Sequence, residues 1–254
     1  MKKLLVLSVI LAMCFAGCEK MPDGTHVHTT GPSANLPAVT TEVAAKPAEK
    51  KVAPVKATVY DADGNIVSLV DFESDQRGNV TKIVTLDADG KEISRNEYEY
   101  DEDGNEVKFL TYVDGELTGY DKMTYNDGRK IRTNSFDAED KERSIVQYEY
   151  DDEGNLKMES SVDVNGVVTW FFEIKRDENG FEVERIQADF DGNVYIRNVY
   201  ENNDAGKPVK TTQYYGDGSL FGIFEYEYDE DGNMLKNSEY GADGKLAMTI
   251  VYEY

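Results

Sequence analysis

The octapeptide YEYDEDGN spans Tyr98 to Asn105, returns as YEYDDEGN from Tyr148 and as YEYDEDGN from Tyr226, and starts once more as YEY at the chain end. A sequence that repeats at a fixed interval has to fold into units that repeat, so this feature limits the architecture more than any other. Turn glycines set the interval. They are Gly64, Gly78, Gly90, Gly104, Gly115, Gly128, Gly154, Gly166, Gly180, Gly192, Gly206, Gly218, Gly232 and Gly244, and Asp140 fills the slot between Gly128 and Gly154. Gaps of 14 and 12 residues alternate over most of this run, so the unit is 26 residues long and holds two turns.

The turns DEDG, DADG and DDEG place acidic residues where a type I turn accepts them and glycine where the chain needs positive φ, which describes a three-residue hairpin loop closed by a glycine bulge. Between turns lie eight to ten residues rich in Tyr, Val, Ile and Thr with period-2 alternation. No stretch sustains a 3.6-residue period, so every connection reads as a hairpin. The expectation is an all-β antiparallel meander of about seven two-hairpin repeats and about sixteen strands, with no crossover helices.

Six residues before each unit's first glycine stand Phe72, Tyr98, Tyr148, Ile174, Tyr200, Tyr226 and, at the chain end, Tyr252, with Lys122 breaking the column. Four residues after that glycine stand Lys82, Lys108, Arg132, Met158, Glu184, Lys210 and Lys236. Pairing these across the hairpin with the aromatic column lays long stems over rings, and the same face continues at Leu86, Tyr112, Phe136, Val162, Ala188, Tyr214 and Tyr240. Five residues before the glycine, Glu73, Glu99, Glu149, Lys175, Glu201, Glu227 and Glu253 make the other face acidic and solvated. A one-sided sheet without amphipathic helices to cover it must curl on itself, so the predicted form is a shell or superhelical solenoid. An outer-membrane barrel needs an apolar lipid face, and here charge enters both faces.

The N-terminus reads differently. Two lysines, an apolar run from Leu4 to Ala12 and small residues before a cysteine make residues 1–18 a secretory signal, too short to span a membrane as a helix. Phe15-Ala16-Gly17-Cys18 resembles the lipobox of bacterial lipoproteins, which implies lipidation of Cys18 and a membrane partner reached through its acyl chains. No cysteine follows, which leaves an exported chain without a disulfide framework or a thiolate zinc site. Residues 19–57 hold five of the six prolines with Ala, Thr and Lys, the composition of a disordered tether, and residues 58–254 form the repeat domain. His26 and His28 lie in the tether and read as solvated polar residues.

With these units in view, YEYDxxGN followed by DADGK resembles the YD or RHS-type repeats of bacterial surface and secreted proteins, including lipoproteins built of such units, over nearly all of residues 58–254. The pattern is also similar to antitoxin-like repeats of the YYxNGK type, with Gly119 and Gly222 in fitting positions. Both resemblances imply a repeat scaffold and neither implies a chemistry.

The folded region contains no histidine or cysteine and no nucleophile-elbow, phosphate-loop or zinc-protease signature, and carboxylate pairs arise by chance among 50 acidic residues. The chain is therefore read as no enzyme, with no cofactor and no metal. Read as calcium loops, the DxDG turns lack the glutamate at the twelfth position, so aspartate and glycine serve the backbone there. Four of the 50 acidic and seven of the 27 basic side chains precede residue 58, leaving the repeat region more acidic than the chain's net −23; nucleic acid is excluded as a partner. One stretch departs from consensus in content, VVTWFFEIKR from Val167 to Arg176. It puts Trp170, Phe172 and Ile174 on one face, with Phe171 on the other, and makes those three the candidate platform for a sugar ring or a partner's apolar anchor. The function expected is a non-catalytic, lipid-anchored protein of the bacterial envelope, at the outer membrane or cell surface. It would act as a binding surface or scaffold for extracellular protein or glycan, with an envelope spacer or an immunity-type partner of a toxin as the alternatives.

Overall fold

The computed structural model describes residues 52–163 and 165–254; the signal segment with Cys18, and His26 and His28 of the tether, lie outside the described residues. Sixteen strands follow in order: β1 (Lys56–Asp61), β2 (Ile66–Ser74), β3 (Val80–Asp87), β4 (Glu92–Tyr100), β5 (Glu106–Val113), β6 (Glu116–Asn126), β7 (Arg129–Asp137), β8 (Glu142–Tyr150), β9 (Leu156–Asp163), β10 (Val168–Arg176), β11 (Glu182–Ala188), β12 (Val194–Asn202), β13 (Pro208–Tyr215), β14 (Leu220–Tyr228), β15 (Met234–Gly241) and β16 (Leu246–Glu253). Each strand pairs antiparallel with its sequence neighbours, and β16 returns to β1, so the meander is a closed barrel. The curling expected of a one-sided sheet is thus completed in a single circuit and no superhelix forms. Closure leaves no unpaired edge to template association with other chains.

The turn chemistry accounts for the acidic repeats. At the first turn the Asp61 amide donates to the Asn65 carbonyl at 2.9 Å, the Gly64 amide donates to the Asp61 carbonyl at 3.0 Å, and Gly64 adopts φ of 81°. Asp61 Oδ1 accepts from the backbone amides of Asp63 and Asn65 at 3.0 and 2.8 Å. The carboxylate is committed to its own turn, as the backbone reading of these loops requires. Asp140 takes the glycine slot with φ of 65°. Two turns differ from the expected type. Asp114-Gly115 and Asp127-Gly128 all have positive φ, which makes the loops flanking β6 two-residue hairpin turns of the mirror-image type and explains the local break in the 26-residue period.

Register corrects one expectation. Glu73 stands opposite Lys82, Glu99 opposite Lys108, Glu201 opposite Lys210 and Glu227 opposite Lys236. The bulge at each turn slips the ladder by one residue, between Glu73 and Ser74 in the first case, so the basic column faces the acidic column and not the aromatic one. The outer face is therefore laced with ion pairs, Lys82–Glu73 at 2.8 Å, Lys210–Glu201 at 2.7 Å and Lys236–Glu227 at 2.9 Å. By the same parity Leu86, Tyr112 and Tyr214 belong outside, where the Arg95 guanidinium lies 4.1 Å over Tyr112 and that of Arg197 lies 5.5 Å over Tyr214. Lys122 is outside as well, opposite Lys108 and Asn134, and Met123 takes the vacant place in the inner column, opposite Thr133.

The aromatic column faces inward. Its partners across each hairpin lie five residues after the glycine: Ile83, Phe109, Thr133, Glu159, Arg185, Thr211 and Asn237. The driest part of the wall is the seam, where Ala57, Val59, Val70, Met248, Ile250 and Tyr252 are buried on β1, β2 and β16. Burying that apolar surface fastens the first and last strands together. Gly119 and Gly222 allow close strand approach, since a Cβ at either would sit 2.6 or 2.7 Å from a neighbouring carbonyl oxygen.

The second tyrosine of YEY has its own function. At the rim where β1 begins and β16 ends, the hydroxyls of Tyr100, Tyr150, Tyr228 and Tyr254 donate to the carbonyls of Val80, Lys130, Pro208 and Met234 at 2.7 to 3.0 Å. Tyr125 does the same to Glu106, and Arg176 and Asn202 substitute for tyrosine against Leu156 and Glu182. Every acceptor lies two residues after a turn glycine. Each rung ties one hairpin to the preceding one at the end where no loop joins them.

Candidate functional site

The alternation of VVTWFFEIKR turns Trp170, Phe172 and Ile174 to the inner wall. Trp170 stands opposite Ser161, Phe172 between Glu159 and Gln187, and Ile174 opposite Arg185. All three are half-buried, and the Trp170 and Phe172 rings meet edge-on with centroids 5.2 Å apart. Phe171 points outward, opposite Ala188, with its ring 6.2 Å from that of Phe190.

A charged network adjoins this aromatic row. Arg185 is 6% exposed; its Nε and one terminal nitrogen donate to the two carboxylate oxygens of Glu182 at 2.8 and 3.1 Å, and the other terminal nitrogen donates to Glu159 Oε1 at 3.5 Å. The guanidinium lies 5.4 Å from the centroid of Phe172. A bidentate fork of this kind fixes the plane of the guanidinium. Burial opposes the charge on Arg185, and the Glu182 hydrogen bonds with the charges of Glu182 and Glu159 outweigh it, so Arg185 is held more firmly protonated than usual. Burial pushes the Glu159 carboxyl up, with Arg185 and Lys130 pulling against it. Lys130 sits 4.8 Å over the Tyr148 ring; burial opposes its charge, but Tyr148 and Glu106 raise its pKa above the ordinary value. Burial, then the charge of Glu182, raises the Tyr200 phenol. Among the described residues no three His, Cys, Asp or Glu side chains are grouped to hold a metal ion.

The structure therefore brings the three sequence-selected residues together and adds Glu159, Arg185, Glu182 and Lys130. Counting hairpin partners with the bulge residue included would have exposed Glu159 and Arg185, because the inner column is charged only there. The array offers aromatic faces beside fixed donors and acceptors on a shared wall, which suits a neutral, hydroxyl-rich ligand with apolar ring faces.

No family model and no curated protein matches the sequence. Among solved structures, the Tc holotoxin pore of Photorhabdus luminescens is similar over 71% of this chain and 9% of its own, at 15% identity and a TM-score of 0.33. The TcdB2–TccC3 complex aligns over 76% of this chain and 12% of its own, at 13% identity and a TM-score of 0.33 when crystallised with Cdc42. A porin-like protein from Bacteroides uniformis aligns over 78% of this chain and 95% of its own, at 12% identity and a TM-score of 0.36. This chain thus spans about a tenth of the toxin chains' length. Likeness of this degree transfers neither family nor function.

Proposed function

We propose that this protein is a non-catalytic, lipid-anchored component of the bacterial envelope that binds a glycan on the inner wall of its barrel. The observation that carries the reading is the half-buried Trp170–Phe172 row set beside Arg185 and Glu159 on the adjoining strands. Sugar rings present C–H faces that stack on aromatic rings and hydroxyls that accept from a guanidinium and donate to a carboxylate. The signal segment and Cys18 supply the anchor in this reading, and the acid excess disfavours nucleic acid as a partner. Trp170 is the chain's single tryptophan, so its fluorescence reports on this site alone. Titration with a panel of neutral and uronic-acid oligosaccharides is expected to give a saturable change in emission. Trp170→Ala should weaken binding, read by calorimetry, at least tenfold with little loss of stability. Silence of the emission toward every glycan, with Trp170→Ala costing about 3–5 kcal/mol of stability, would assign the row to packing. The spacer reading would then stand, favoured by the regular rungs at the rim.

A further inference from the structure

A second stretch of inner wall, on other strands, has unmet chemistry. On β15, Asn237 and Glu239 face inward. Asn237 lies between Tyr226 and Ile250, and Glu239 between Phe224 and Met248. Asn237 is 4% exposed and its Oδ1 has no hydrogen-bond partner. Glu239 is half-buried, and burial alone pushes its carboxyl above the ordinary value. Its charge reaches two phenols, helping to raise both Tyr226 and Tyr252. Among the described residues no basic side chain stands on the inner faces of β13, β14, β16 or β1: β14 and β16 carry none, and Lys210 of β13 and Lys56 of β1 lie on the outer face, opposite Glu201 and Glu253. Two adjacent acceptors, one of them charged, thus face Phe224, Ile250, Met248 and the phenols Tyr226 and Tyr252, and the Tyr226 hydroxyl is turned to Thr211. An acceptor left so costs free energy unless a donor reaches it.

We propose that this part of the wall binds a small organic cation, a primary ammonium group on an apolar or aromatic body, held by the Glu239 carboxylate and the Asn237 amide oxygen among Phe224, Tyr226 and Tyr252. An ammonium supplies three N–H donors to the unpartnered Asn237 Oδ1 and the Glu239 carboxylate, and ring faces attract the cation that the carboxylate pairs with. An anion would be repelled by Glu239, and a neutral alcohol would satisfy one oxygen without compensating the charge. The chain's net −23 draws cations toward the barrel. The site lies on different strands from Trp170 and stands whether or not the glycan reading holds.

Calorimetric titration of the full chain with benzylammonium, and with benzyl alcohol as the neutral counterpart, tests the proposal. Benzylammonium should bind saturably and at least tenfold more tightly than the alcohol. Its affinity should rise with pH through the raised Glu239 value, because the ligand needs the ionised carboxylate. Glu239→Gln should weaken it at least tenfold, and Asn237→Leu should weaken it too, whereas Trp170→Ala should leave it unchanged. A folded carboxyl raised above its unfolded value binds protons more tightly than the unfolded chain does. Its effect therefore disfavours the fold increasingly as pH climbs from the unfolded toward the folded value. Glu239→Gln should accordingly melt at or above the wild-type temperature at pH 7. Equal binding of amine and alcohol, undiminished binding by Glu239→Gln, or a lower melting temperature for that variant, which would reveal a stabilising partner within the protein, would each overturn the proposal.

Discussion

Replacing the rim tyrosines by phenylalanine removes one hydrogen bond per repeat and leaves ring packing in place. The triple variant Tyr100→Phe, Tyr150→Phe and Tyr228→Phe breaks rungs of 2.8, 2.7 and 2.9 Å to the carbonyls of Val80, Lys130 and Pro208. A net value of about 1 kcal/mol applies to each, with a range of about 0.5–1.5 kcal/mol, because each lost bond also leaves a partly buried carbonyl short of a donor. Tyr228, whose phenol burial pushes up to about 12, belongs at the upper end. Tyr254, 41% exposed, belongs at the lower end because water can take over the Met234 carbonyl. The three rungs are separated by whole repeats, so their effects should add to about 3 kcal/mol. That is a large share of a typical total of about 5–15 kcal/mol, and for a domain of this size it lowers Tm by about 6–12 °C. Urea unfolding followed by circular dichroism should show a lower midpoint at unchanged m-value. Tyr226→Phe is the control, since its hydroxyl reaches Thr211 only at 3.4 Å and its loss should cost less. A triple variant within about 0.5 kcal/mol of wild type would refute the view that the second tyrosine is kept as a tie between hairpins.

Deleting residues 155–180 removes β9 and β10 with their turn and rejoins equivalent turns, leaving an even number of strands; the chain should still unfold cooperatively but lose the Trp170 signal. Deleting only residues 155–166 leaves an odd number, forces β1 and β16 parallel and inverts the faces downstream, so cooperative unfolding should vanish. Lys236→Glu places two glutamates opposite one another at the Glu227 position and should cost about 0.5–1 kcal/mol, and adding Glu227→Lys should restore it in a double-mutant cycle. Cys18→Ser should leave an unprocessed precursor or release the protein from the membrane fraction; unchanged mature membrane protein would remove the anchor from the proposed function.

The strand count, the turn positions and the inward aromatic column were legible in the chain because each depends on local rules. Positive φ at glycine, an aspartate that caps its own turn and a side-chain period of two all act within a few residues, and the 26-residue repeat multiplies them. Trp170, Phe172 and Ile174 were likewise placed on one face by alternation alone. The hairpin partners were not. One bulge residue at each turn shifts the ladder by a single step, which moved the lysines from the rings to the glutamates and brought Glu159, Arg185 and Asn237 inside. The rungs from Tyr100, Tyr150 and Tyr228 reach back 20 residues to a carbonyl, and no side-chain pattern marks a backbone acceptor. Closure, too, belonged to the tertiary structure. Twist and curl accumulate over sixteen strands, and only their sum, together with the buried seam of Val59, Ile250 and Tyr252, decides that β16 meets β1 instead of passing it.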